Sequence, residues 1–210
     1  MFSSLMARMH KPIYEHRLRV LVAQIVPCLR AGDRVLDVGC GNGTLGAALL
    51  AAPLGCPAGV VVEGLERVVR GGEPIKVHAY DGKVMPLEDK SVDVVIVADV
   101  LHHEEQPDRL LRECARVSRR LVIIKDHRIS GALSKWRVSL MDWAANAPYG
   151  VPCLFRYNTL AQWRGEPAKF NATIEHELTS MDLYPGLWNP VFGKDLQYMV
   201  FWRTDKAENA

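Results

Sequence analysis

The sequence predicts an α/β protein: a doubly wound, mostly parallel sheet of seven strands that includes an antiparallel C-terminal strand. Three observations predict it. Short Val/Ile runs recur along the chain, segments of helical period separate several of them, and a glycine-rich bend joins the first run to a helix. Strands apolar at every position are buried on both faces, as in a parallel sheet covered by helices on each side. The 210 residues, 49% hydrophobic and 24% charged, suffice for one sizeable core, and residues 1–210 are expected to form one domain.

Residues 12–30 carry Leu18, Leu21, Val22, Ile25, Val26 and Leu29 at helical spacing, ended by Ala31 and Gly32. RVLDV at 34–38 is a short apolar strand running into glycines, and TLGAALLAA at 44–52 is a strong helix former stopped by Pro53. AGVVVE at 58–63, IKVHAY at 75–80 and VDVVIVADV at 92–100 read as the next three strands. Leu110, Leu111, Cys114, Ala115 and Val117 share one side of a helix over 107–117, and RLVIIKD at 120–126 is the fifth strand. Helices follow at 131–145 and near 158–170. Strands at 172–179 and 195–203, joined only by a loop, should pair antiparallel. Residues 66–70 have room for one helical turn and 82–91 read as loop, so one sheet face should be thinly covered. The expected layout is a helical lid over 1–32, a binding core over 33–126, a helical insert over 127–171 and C-terminal strands over 172–204.

The formal net charge is only +2, with basic and acidic residues interspersed, so no nucleic-acid partner is expected. The five cysteines form no CxxC pair or Cys/His cluster, which argues against a disulfide framework and a zinc site and fits a reducing, cytoplasmic setting with no metal. MFSSLMARMH is too short an apolar run for a signal peptide, and no window reaches the roughly 18 to 20 apolar residues of a membrane span, so no stable membrane insertion is expected. Leu5, Met6 and Met9 could stripe a short helix that packs on the domain, covers a site or touches a membrane.

The strongest local signal is VLDVGCGNGTLG at 35–46, where Gly39, Gly41 and Gly43 leave a strand and open a helix. Glycine permits positive φ and lets a ligand lie on bare backbone. Gly41, Gly43 and Gly46 also fit the GxGxxG spacing of a dinucleotide site, with Glu63 placed beyond them, so spacing alone leaves both readings open. Asp37 discriminates. A carboxylate at the strand's end beside the loop repels a diphosphate and attracts the ammonium of a ligand that carries an amino acid.

VLDVGCGNG resembles motif I of the class I, S-adenosylmethionine-dependent methyltransferases, whose fold is Rossmann-like. The resemblance continues in Glu63 after the second strand, Tyr80-Asp81-Gly82 after the third and VDVVIVADVLHH at the fourth, spanning residues 33 to 126. It implies that Gly39, Cys40 and Gly41 contact the methionine part of the cofactor and that Asp37 meets its ammonium. It implies further that Glu63, with Glu66 as the alternative, receives the ribose hydroxyls, that Asp81 beside Gly82 meets the adenine amino group, and that Asp99 and Val100 border the cofactor. Tyr14 and Arg17 on the leading helix could close over it. The family usually has a helix after the second strand; Gly64, Gly71 and Gly72 leave little of one here. Each acid also has a plain structural reading: a helix cap for Asp37, a solvated carboxylate for Glu63, a turn former for Asp81.

Methyl transfer from a sulfonium needs alignment, desolvation and, for some acceptors, a base. Candidates are His102 and His103 after the fourth strand and Asp126 with His127 after the fifth, where histidine can take a proton near neutrality; loop anchoring is the structural alternative. Trp136, Met141, Trp143, Tyr149, Phe155, Tyr157 and Trp163 suggest a wall for an apolar or aromatic acceptor, with Asp142, Asn146 and Tyr149 as contacts. The expected activity is methylation of a small molecule by a monomer or homodimer. The alternatives are a methyltransferase-like binding or regulatory subunit without turnover and an NAD-dependent oxidoreductase.

Overall fold

The computed structural model describes residues 2–52, 55–147, 150, 152–184 and 193–205, with side chains from residue 12 onward. A long helix, α1 (Phe2–Ile25), runs through Pro12 and ends in a 3-10 turn at Val26–Cys28, so it starts well before the expected position 12. β1 (Arg34–Val38) passes through the glycine bend into α2 (Thr44–Leu50). β2 (Val61–Glu66), β3 (Lys76–Ala79) and β4 (Val92–Ala98) follow, joined by turns and bends instead of helices. α3 (Pro107–Val117) leads directly into β5 (Ser118–Ile129), and α4 (Ala132–Asn146), the two-residue β6 (Asn158–Thr159), α5 (Leu160–Gly165), β7 (Thr173–Leu178) and β8 (Gln197–Arg203) complete the order.

Seven strands form one path in the order β3-β2-β1-β4-β5-β8-β7, and β6 pairs with the far end of β5. The first five are mutually parallel, β8 is antiparallel to β5, and β7 is antiparallel to β8. The chain leaves β1 toward β2 and β3, then returns to lay β4 and β5 on its other side. Such a reversal opens a crevice beyond the carboxyl ends of the two diverging strands, here β1 and β4.

Alternate residues of each strand enter opposite cores. Val35, Val94, Ile96, Leu121 and Ile123 pack with α1 and α2, whereas Leu36, Val95, Val97, Val122 and Ile124 pack with α3 and Trp163 of α5. Burial on both faces explains why β4 is an unbroken apolar run, each side chain contributing about 1.5–3 kcal/mol. α3 begins at Pro107, whose missing N–H costs nothing at a helix start, and buries Leu110, Leu111, Cys114 and Val117.

β2 starts three residues later than the apolar run suggests, because Gly59 turns with φ of 75° and Gly32 donates its N–H to Ala58 O at 2.9 Å. The strand therefore carries Gly64 inside it and ends at Glu66. α4 turns Val138 and Met141 inward onto Tyr157 and Leu196, and leaves Leu133, Trp136, Leu140 and Trp143 exposed along its outer side.

Candidate functional site

After Val38 the backbone turns through Gly39, Gly41 and Gly43 with φ of 69°, 59° and 74°. Gly39 is required both by that conformation and by space, since a Cβ there would lie 2.5 Å from Val100 Cγ2. The bend is tied to β2: the N–H groups of Gly39 and Cys40 donate to Leu65 O at 2.8 and 3.3 Å, and that of Gly41 donates to Glu66 Oε2 at 2.7 Å. Amides engaged in this way do not form a cradle for a diphosphate.

Asp37 lies in β1 beside this bend, 2% exposed, and its Oδ2 has no hydrogen-bond partner among the described residues. Burial, and then the charge of Glu66, raises its carboxyl to about 7. An isolated buried acid of this kind gains most from a cation. The Cys40 thiol is pushed up to about 12 by burial and by the charges of Asp37 and Glu66, and so stays protonated at neutral pH. Its Sγ occupies the space above Gly64, where a Cβ would collide with it.

A cleft of about 380 Å³ runs from this bend to a polar cluster of three histidines and Asp142, with Tyr14, Arg17, Leu18 and Leu21 of α1 along its side. Its volume falls within the range of small-molecule sites. Asp99, just beyond β4 at φ of 55°, is ion-paired to Arg17 and to Lys125. Lys125 is buried, and burial together with the Arg17 charge pulls its ammonium well below the usual lysine range.

At the far end His102, in the 3-10 turn Leu101–His103, has Nδ1 at 2.7 Å from Asp126 Oδ1. Burial pushes the Asp126 carboxyl up, but His102 and His127 outweigh it and hold the acid below the usual range. His127 is buried, donates its backbone N–H to Asp126 Oδ1 at 2.6 Å and accepts Trp163 Nε1–H at its carbonyl at 3.0 Å. Burial, then Lys125 and His102, keeps its imidazole neutral. His103 has Nδ1 at 2.9 Å from the Pro152 carbonyl, and burial and neighbouring His102 lower its pKa. Asp142 is fixed by Tyr157, whose hydroxyl donates to Oδ2 at 2.7 Å, and by Asn146 Nδ2, which donates to Oδ1 at 2.9 Å.

The structure thus gathers Tyr14, Arg17, Asp37, Gly39, Cys40, Gly41, Asp99, His102, His103 and His127 around one cleft, with Val100 packed against the bend and Asp126 behind His102. It does not bring Glu63 there. Glu63 sits inside β2, bound to Lys76 Nζ at 3.2 Å and His78 Nε2 at 3.4 Å, facing the thinly covered side of the sheet near Pro86 and Leu87. Glu66 takes the strand end instead, because β2 is shifted. Asp81 is exposed and accepts the N–H groups of Lys83 and Val84 at 2.8 and 3.3 Å, the geometry of a turn former. Beside it, Gly82 lies against the guanidinium of Arg67, whose Nη2 donates to both carboxylate oxygens of Glu104 at 2.7 and 2.8 Å.

The expected aromatic wall is largely absent. Trp136, Trp143 and Phe155 are exposed away from the cleft, Trp163 is buried beneath His127, and Tyr149 lies outside the described residues. The helical period of α4 explains this: its inward face carries Met141 and Asp142, and its tryptophans fall on the other side. Sequence reasoning missed Lys125, signalled by a lysine inside the apolar run LVIIKD, and Tyr184, which lines the cleft from a distant loop without any local signal. No helix among the described residues is long and apolar enough to cross a membrane.

A family model described as Methyltransferase domain matches residues 10–171. The 27-O-demethylrifamycin SV methyltransferase of Amycolatopsis mediterranei is 36% identical over 118 residues, 49% of this chain and 40% of that protein. A Mycobacterium tuberculosis protein named a probable S-adenosylmethionine-dependent methyltransferase is 38% identical over 109 residues, 49% of this chain and 38% of that one. The chain therefore spans about two fifths of the length of these curated relatives. Among solved structures, a Haloferax volcanii chain in complex with the Trm112 methyltransferase activator superposes with a TM-score of 0.69 at 15% identity, covering 97% of this chain and 93% of that one. The family match over most of the chain, joined to the glycine bend and its buried acid, establishes that the chain belongs to the methyltransferase domain family, of the class I, S-adenosylmethionine-dependent type.

Proposed function

We propose that the chain transfers the methyl group of S-adenosylmethionine to a hydroxyl or amine of a small acceptor. The observation that carries this reading is the polarity of one cleft: a glycine bend with an unpartnered buried Asp37 oxygen at one end, and an oriented His102–Asp126 pair at the other. The fit to the cofactor rests on Asp37, whose orphaned oxygen suits an ammonium. When bound, S-adenosylmethionine supplies an electrophilic methyl on a sulfonium that leaves as a neutral thioether.

The remaining work falls to the chain. Asp37 receives the ammonium, Gly39 and Gly41 let the ligand approach bare backbone, and Glu66 offers a carboxylate for ribose hydroxyls. Arg17 and Tyr14 hold α1 over the cofactor end, with Asp99 as the anchor of Arg17. At the acceptor end Asp126 accepts the Nδ1 proton of His102, leaving Nε2 with its lone pair toward the cleft to take the acceptor's proton. His103, Asp142 and Asn146 position the acceptor.

Calorimetric titration with S-adenosylhomocysteine tests the cofactor end. Saturable binding, with no competition by NAD, is the expected result; tighter binding of NAD would overturn the reading. Turnover assays against small hydroxyl and amine acceptors separate an enzyme from a binding subunit.

A further inference from the structure

We infer that His102 Nε2, His103 Nε2 and Asp142 Oδ1 form a binding site for a divalent transition-metal cation. No local pattern in the sequence points to one, because the carboxylate comes from α4 and the histidines from the turn after β4, and only the fold brings them together.

Each of these imidazoles has its other nitrogen already committed. The partner of His102 Nδ1 is the Asp126 carboxylate at 2.7 Å, and that of His103 Nδ1 is the Pro152 carbonyl at 2.9 Å. Both partners are acceptors, so each Nδ1 presents its N–H to its partner, and in that tautomer each Nε2 is the ring atom free to offer a lone pair. Those two nitrogens lie 3.7 Å from the same oxygen, Asp142 Oδ1. Three electron-pair donors thus converge where side-chain exposure is 17% or less, at distances too long for hydrogen bonds between them. A cation resolves that arrangement. Bonds of about 2.0–2.2 Å at tetrahedral angles put ligand atoms roughly 3.4 Å apart, so the two contacts with Asp142 need contract by only a few tenths of an ångström, and all three ligand atoms already lie within 4.8 Å of one another.

The surroundings are those of a metal site. Ligating histidines characteristically donate the second ring N–H to a carboxylate or backbone carbonyl, and both occur here. Asp142 is held by the Tyr157 hydroxyl and Asn146 amide. Two imidazoles and one carboxylate select Zn²⁺, Fe²⁺, Mn²⁺, Co²⁺ or Ni²⁺ over Mg²⁺ or Ca²⁺, and three protein ligands leave positions open toward the cleft. The other grouping that geometry allows, Asp99, His102 and His127, is a poorer choice because the Lys125 ammonium and Arg17 guanidinium already occupy the Asp99 carboxylate.

The use of the cation rests on the proposed placement of the acceptor at this end of the cleft. An acceptor hydroxyl that coordinates the metal loses its O–H proton to water and forms a metal–oxygen bond, leaving a nucleophilic oxygen. His102 Nε2 then acts as a ligand in place of a proton acceptor.

The test is a Co²⁺ titration of the whole chain after chelation, followed by visible absorption and by competition with Zn²⁺, alongside S-adenosylhomocysteine calorimetry on the same samples. Stoichiometric binding with visible bands is expected. Asp126→Asn, which leaves the three ligands in place and weakens the hydrogen bond that orients His102, should weaken Co²⁺ by about 10- to 100-fold, and His103→Ala and Asp142→Asn by more. His176→Gln, on β7 far from the cluster, should change nothing. Absence of Co²⁺ bands, or an equal loss in His176→Gln, overturns the site. Retained S-adenosylhomocysteine binding shows that each variant is folded. Metal binding without S-adenosylhomocysteine binding sinks the methyltransferase reading alone, and the reverse result sinks the metal site alone.

Discussion

The two ends of the cleft are both buried and both acidic, yet they are built on opposite plans. At the glycine bend Asp37 has an oxygen without a partner, and its neighbour Glu66 adds repulsion instead of relief. At the histidine end each carboxylate has at least one oxygen engaged, Asp126 with His102 and the His127 N–H, Asp142 with Tyr157 and Asn146, Asp99 with Lys125 and Arg17, while Asp126 Oδ2 and His127 Nδ1 are buried without a partner among the described residues. The difference teaches what each end is for. An uncompensated buried acid stores a demand for positive charge, which a cationic ligand meets on binding. Acids already tied to a ring nitrogen, a hydroxyl or an ammonium fix the direction of the neighbouring reactive atoms before any ligand arrives.

The contrast can be broken most sharply at the histidine end. Replacing His102→Gln should lower turnover by about 10²- to 10⁴-fold, whether Nε2 takes the acceptor's proton or ligates the cation that activates it, while leaving the affinity for S-adenosylhomocysteine unchanged. Steady-state rates paired with calorimetry on one preparation decide it; a fall in affinity with turnover intact would reverse the assignment of the two ends.

Asp37→Asn attacks the other end and should cost about 10- to 150-fold in affinity for S-adenosylhomocysteine, the worth of one charge-assisted hydrogen bond. In the parent protein the same affinity should fall as pH drops through about 7, because the carboxyl must be ionised to meet an ammonium. The stability effect has the opposite sign. The folded carboxyl titrates near 7 and the unfolded one near the model-peptide value of about 3.9, so the native state binds the extra proton and stability declines as pH rises between them. Asn lacks this penalty. Above about 7 the variant should be more stable than the parent by up to about 4 kcal/mol, and denaturant melts across pH would expose a wrong sign.

The smallest contrast lies within β2. Glu66→Gln should weaken S-adenosylhomocysteine by roughly tenfold, whereas Glu63→Gln should leave binding within error. Equal losses would mean that the strand's register in solution differs from the one described.

These residues also show how far the sequence could be read. Strands buried on both faces advertise themselves in composition, so RVLDV and the helix over 107–117 were located to the residue. Asp37, Gly39 and Gly41 lie within one bend, and contiguity made that end legible. The register of β2 was not, since Gly59 and Gly64 look alike in the sequence, and only the turn at one and the contact with Cys40 at the other fix where the strand ends. The histidine end draws on the turn after β4, on β5, on α4 and on Tyr157, and no local pattern announces that His103 and Asp142 meet. The tryptophans of α4 misled for a related reason: the spacing revealed a helix, but which face turns inward depends on what packs beneath it.

β8, close to the end of the described chain, is an interior strand, bonded on one side to β5 and on the other to β7. A ribosome releasing this polypeptide from its N-terminus would therefore hold an open-edged half-sheet until residues 197–203 had cleared the exit tunnel, and the last gap would close only then. Shortening the chain from its C-terminus past that point would leave both β5 and β7 as raw edges, prone to recruit strands from other molecules.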